Sequence, residues 1–190
     1  MRIGLLGGSF NPAHAGHRLV ARAALRRLRL DQVWLIVSPG NPLKPRAGMA
    51  PMAERLASAR TIADGRRIVA TGIEARFGTR YTVDTMRRLL RRFPRVRFVW
   101  LCGADILPQL PRWRRWEEIL RHLAFAVLPR PGYTRSALAG RIAHRLRRHR
   151  RPVRQARLIP GSAPAWVHLP HRQIALSSTA LRAASKEPVP

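Results

Sequence analysis

Short apolar runs punctuate this chain: RIGLLG (2–7), QVWLIV (32–37), RRIVAT (66–71), VRFVWLC (96–102), AFAVLP (124–129) and WVHLP (166–170). Each is the length of a strand, and most are apolar throughout rather than at alternate positions. That pattern marks strands covered on both faces. Between them the apolar positions recur every three or four residues. In HRLVARAALRRLRL (17–30), Val20, Ala24, Leu25 and Leu28 fall on one helical face. The same spacing predicts helices over 52–64, over 82–93 with Thr82 as N-cap, over 113–123, over 136–148 with Leu138, Ile142 and Leu146 in line, and over 177–185. Residues 38–51, rich in Pro and Gly, read as a loop, and 150–165 as an exposed connection. Alternating strands and helices predict an α/β fold with a parallel sheet.

A length of 190 residues with 46% hydrophobic content fits a single domain, 1–190. The single cysteine, Cys102, cannot form an internal disulfide and reads as a small buried residue in a reducing compartment. The start MRIGLLGGSF lacks the pattern of a leader, and no run approaches the roughly 20 apolar residues of a membrane helix. The expectation is a soluble cytoplasmic protein, without a membrane partner. Charge changes this picture. The formal net charge is +28, with 35 arginines but only 2 lysines. Such a field draws polyanions, whether nucleic acid, anionic lipid or phosphorylated small molecules. The arginine runs at 88–97 and 141–157 carry no interleaved aromatics for stacking on bases, so they read as solvated faces and no specific nucleic acid is expected.

Candidate chemistry concentrates in GGSFNPAHAGH (7–17), directly after the first strand, where an open α/β sheet holds its ligands. Gly7 and Gly8 remove side chains where a ligand could approach the backbone. Pro12 keeps Asn11 out of helical geometry. His14 and His17, three apart, share a side at the mouth of a helix and can donate to oxyanions, although a turn histidine and a surface histidine would leave the same trace. They are too few for a metal centre. A second set, SSTALR, offers Ser177, Ser178 and Thr179 at a helix start with Arg182 one turn on: an ordinary cap or an anion cradle. No GxxxxGK[ST], GxGxxG or GxSxG pattern occurs.

Together, GGSFNPAHAGH and LSSTALR resemble the (H/T)xGH and ISSTxxR motifs of the nucleotidylyltransferase superfamily. GADILPQLPRW (103–113), YTVDTM (81–86) and PRPGY (129–133) resemble further segments of its bacterial nicotinate-nucleotide adenylyltransferases, so the likeness runs the length of the chain. It implies a Rossmann-like, doubly wound, mostly parallel sheet. It implies ATP and nicotinate mononucleotide as substrates, deamido-NAD and pyrophosphate as products, and Mg²⁺ assisting. His14 and His17 would then contact the ATP phosphates. Ser177, Ser178, Thr179 and Arg182 would hold the β and γ phosphates. Gly7, Gly8, Ser9 and Phe10 would lie along the nucleotide, Lys44 near its phosphates, and Gly103 and Asp105 on the adenosine side. Thr82, Trp113 and Arg130 would face the mononucleotide. Read without the resemblance, Asp105 caps the next turn, Trp113 and Trp116 are core aromatics of a helix, and Thr82 is an N-cap. Asn11 departs from the family, where many relatives have Asp, so no metal ligand is assigned. The resemblance leaves open an adenylyl- or cytidylyltransferase of the same superfamily with another phosphorylated acceptor, such as nicotinamide mononucleotide or phosphopantetheine, and the charge leaves a basic nucleic-acid-binding protein as a reading of another class. A monomer or homodimer is expected.

Overall fold

A computed structural model describes residues 1–40, 48–171 and 178–184; Lys44 and Ser177 lie outside the described residues. Among the described residues seven strands form one sheet: β1 (Arg2–Gly8), β2 (Gln32–Val37), β3 (Ile68–Thr71), β4 (Arg97–Gly103), β5 (Ala124–Leu128), β6 (Arg150–Arg151) and β7 (Trp166–His168). Their order is β3-β2-β1-β4-β5-β7-β6, and every pairing is parallel. The apolar runs that announced the strands are now explained. Along β4, Phe98, Trp100 and Cys102 enter one layer of core, while Val99 and Leu101 enter the other. One layer lies under α1 (Ala15–Arg27) and α2 (Met52–Ile62). The other lies under α3 (Ile73–Phe77), α4 (Thr82–Arg92), α5 (Trp116–His122), α6 (Thr134–Ala139) and α7 (Arg141–Arg145). The last helix, α8 (Ser178–Ala184), follows β7. Among the described residues, no helix is long and apolar enough to cross a membrane.

Strand order reverses at β1: the chain moves outward to β2 and β3, then returns to place β4 on the other side of β1. Crossovers leaving in opposite directions open a crevice beyond the carboxyl ends of β1 and β4, at Gly8 and Gly103. Both glycine-led motifs of the sequence therefore meet at one place.

Several sequence expectations give way here. Thr82 is not the N-cap of α4. Tyr81, with extended backbone, holds that position, and Thr82 is the first helical residue. The helix expected from residue 113 starts at Trp116, because Trp113 closes a 3-10 helix over Ala104–Arg112 whose internal prolines, Pro108 and Pro111, prevent an α-helical ladder. The helix expected over 136–148 is cut in two at Gly140. Residues 150–165 are not merely an exposed connection, since they add β6 at the sheet edge and bury Ala156, Ile159 and Ala165. By contrast Cys102 is a buried free thiol, and burial pushes its ionisation far above the usual range. The arginines at 88–97 and 141–157 are exposed, as solvated faces should be.

Candidate active site

Beyond β1 the chain makes a tight loop before α1, and this loop is held by other elements almost residue by residue. A Cβ on Gly7 would press on the Trp100 ring at 3.0 Å, and one on Gly8 on the Phe10 ring at 3.2 Å. Phe10 itself has a left-handed backbone (φ 48), a strained state for a bulky residue that costs about 1–3 kcal/mol. Its ring compensates by burial, being 1% exposed in the core beneath α1, with its centroid 4.9 Å from that of His17. Phe10 thus faces a ligand only through its backbone.

His14 is the N-cap of α1, and the two histidines form a reciprocal cap. The Gly16 amide donates to His14 Nδ1 (3.2 Å), and the His14 amide donates to His17 Nδ1 (3.2 Å). The ring centroids are 3.9 Å apart. A nitrogen that accepts from an amide carries no proton, so in each neutral ring the proton sits on Nε2. Capping the helix therefore leaves both Nε2–H groups as donors. Burial, then the charges of His14 and Arg130, push His17 down to about 3. His14 is lowered too, by burial and then Arg130. Both are neutral donors at physiological pH, aided by the positive end of α1.

The far end of the chain closes on the same loop. Ser178 Oγ donates to Pro12 O (2.9 Å), and Arg182 Nη1 donates to Asn11 O (2.5 Å) and Ser178 O (3.1 Å). Arg182 Nη2 lies 3.4 Å from Thr179 Oγ1. The two motifs are thus in direct contact. Asn11 is 9% exposed and spends its amide on the segment before α2: Nδ2 donates to Gly48 O (2.9 Å), and Oδ1 accepts from the Ala50 amide (3.3 Å). A carboxylate could not make the first bond. The departure at Asn11 is therefore structural, and the described residues bring no three His, Cys, Asp or Glu side chains together around a metal.

Across the crevice, Asp105 folds back so closely that a Cβ on Gly103 would collide with its carboxylate. Glycine is needed there for the carboxylate to stand at the end of β4. Trp113 packs edge-on against Trp100 (6.0 Å between centroids), the ring that lies across Gly7. Arg130 is exposed in the turn after β5, which Thr134 fixes by accepting from the Arg130 amide (2.8 Å). At Thr82, Tyr81 O takes the Asp84 and Thr85 amides, leaving the Thr82 and Val83 amides at the open end of α4. An open cavity of about 420 Å³ runs along α4, its lining including Thr79, Arg80, Tyr81, Asp84, Arg87 and Arg114 but neither Thr82 nor Val83.

Beneath that helix end lies a residue that sequence reading missed. Glu74, 6% exposed, accepts from Thr85 Oγ1 (3.1 Å), which is 2.8 Å from Thr79 Oγ1. Burial, opposed by the Thr85 bond, raises its pKa to about 7. The native state therefore holds this proton more tightly than the unfolded chain. Its contribution is complete below the ordinary carboxylate value and is lost as pH rises to about 7, an effect on the order of 3 kcal/mol. Glu74→Gln should remove it: the wild-type melting temperature falls relative to the variant between about pH 5 and 8, as read by calorimetry. Parallel profiles would show that Glu74 ionises normally.

Comparison with known proteins gives one consistent likeness. A family model described as cytidylyltransferase-like matches residues 5–184. A protein of Gluconobacter oxydans named “Probable nicotinate-nucleotide adenylyltransferase” is 61% identical over 96% of this chain and 94% of its own length. One of Gluconacetobacter diazotrophicus with the same name is 60% identical over 97% of this chain and 86% of its own. Among solved structures, Plasmodium falciparum nicotinic acid mononucleotide adenylyltransferase complexed with NaAD superposes with a TM-score of 0.71. At 16% identity, over 96% of this chain and 82% of that one, it supports the fold alone.

Proposed function

The chain belongs to the cytidylyltransferase-like family, and from that premise we propose that it transfers the adenylyl group of ATP to nicotinate mononucleotide. The products are deamido-NAD and pyrophosphate. A phosphate oxygen of the mononucleotide attacks the α-phosphorus of ATP, and the bond to the β-phosphate oxygen breaks as pyrophosphate leaves. No protein nucleophile is required, so catalysis is positioning and charge stabilisation. The observation that carries this reading is the contact of Arg182 and Ser178 with Asn11 and Pro12, beside two histidines whose capping leaves Nε2–H free to donate.

In this reading His14 and His17 donate to the phosphates, His17 nearest the α-phosphate, and Arg182 adds charge. Ser178 and Thr179, with Ser177, take the outer phosphates, and Lys44 approaches them from its loop. Gly7, Gly8, Ser9 and Phe10 present backbone, and Gly103 and Asp105 serve the adenosine. The Thr82 and Val83 amides take the nicotinate carboxylate, with Trp113 on the pyridine ring and Arg130 along the pocket. Mg²⁺, supplied with ATP as substrate, would offset charge on the phosphates. The protein works as a cytoplasmic enzyme on small molecules, as a single domain and as monomer or homodimer.

The test is pyrophosphate release by purified protein with MgATP. Release should require an acceptor and be fastest with nicotinate mononucleotide. Nicotinamide mononucleotide and phosphopantetheine complete the panel. A faster rate with either would reassign the acceptor, and no release with any would end the proposal.

A further inference from the structure

Arg55 is the one arginine among the described residues that is buried, at 3% exposure, and it has no carboxylate partner among them. Its guanidinium is spread over backbone carbonyls. Nη1 donates to Ser9 O (2.9 Å) and Ser38 O (2.7 Å), Nε donates to Ala50 O (2.9 Å), and Nη2 lies 3.6 Å from Met52 Sδ. Those carbonyls belong to the loop after β1, the end of β2 and the start of α2, so one side chain sets the spacing of three segments. Burial lowers its basicity, and sequestering a cation on neutral oxygens costs desolvation that carbonyl bonds offset only in part. A hydrophobic residue would fill the space more cheaply if packing were the only requirement.

Ser58 stands three residues on, on the same face of α2, and its Oγ accepts from the Ala13 amide (2.9 Å). The loop is therefore gripped at both ends, by its Ser9 carbonyl and its Ala13 amide, and His14 follows at once. The Ser9–Phe10 peptide is trans, so turning Ser9 O onto Arg55 turns the Phe10 amide to the opposite side.

We propose that Arg55 and Ser58 are positioning residues for the ATP phosphates: from α2 they hold the Ser9–His14 loop in its binding shape. The proposal rests on the reading of this loop as the phosphate site. It is tested on the full chain with Arg55→Lys and Ser58→Ala, by the Kd for MgATP in calorimetry, by KM and kcat for each substrate, and by thermal melting. Arg55→Lys should raise both the Kd and the KM for ATP about tenfold, since one ammonium cannot span the three carbonyls. Ser58→Ala should raise them about threefold, as the loss of one hydrogen bond predicts. KM for nicotinate mononucleotide should stay within about twofold. A merely structural role has another signature: melting and active fraction fall while ATP Kd and KM stay put, and that result overturns the proposal. If Arg55→Lys does not fold, Ser58→Ala decides by the same criterion. Wild type that binds ATP but releases no pyrophosphate would end the functional reading while the ATP Kd values still test this one. Wild type that binds no ATP overturns both.

Discussion

His17→Ala should lower kcat by about 10²–10³-fold with the fold intact, the usual cost of deleting one donor aimed at developing charge. The rationale is the tautomer. With Nδ1 occupied by the His14 amide, the imidazole has one proton to offer, on Nε2. Methyl for imidazole removes that donor and the acceptor for the His14 amide, so a loss of about 1 kcal/mol in stability should accompany the kinetic defect. Turnover at saturating ATP and nicotinate mononucleotide, beside a thermal melt, separates the two effects. Turnover within about threefold of wild type would remove His17 from the mechanism. The pH profile supplies a further check. Because His17 titrates at about 3, it stays neutral throughout the range where enzymes are assayed, and kcat/KM should show no inflection from it near its ordinary value.

Arg182→Ala should cost about 10²-fold in kcat/KM for ATP, with a smaller change for the mononucleotide. Two losses would combine. In the proposed reading the guanidinium supplies a cation for the departing phosphates, and in the structure it fixes α8 to Asn11 O. Arg182→Lys separates them. It keeps the charge but not the fork, so it should recover part of the ATP affinity and little of the rate. Steady-state kinetics on both variants, with ATP and the mononucleotide varied in turn, gives the answer. Equal defects toward both substrates would mean that α8 supports the whole site rather than the phosphates.

Much of this was legible in residues. The bounds of β2 follow its apolar run, 32–37, because a central strand must be apolar on both faces and its flanks need not be. The spacing of the two histidines placed both at the mouth of one helix, where the structure has them. Their tautomer could not be read, because it depends on which amide each Nδ1 accepts, a detail of folding at the N-cap. Thr82 was misplaced by one residue because threonine is a good cap, yet here the extended Tyr81 backbone turns the chain into α4. Residues 104–112 escaped because prolines that forbid an α-helix permit a 3-10 one. Arg55 and Glu74 were invisible for a different reason. Charged residues are presumed exposed, and with 35 arginines in the chain nothing in sequence separates the one that is buried among the described residues. Only the packing of α2 against the ends of β1 and β2 singles it out.

The bonds that α8 makes to the loop join residues 166 and 171 positions apart. Closing so large a circuit of chain carries an entropic cost that no local contact repays. The sheet from β1 to β5 can assemble without them. If the loop is the phosphate site, as proposed, nucleotide that binds only the form with α8 docked stabilises that docking by mass action.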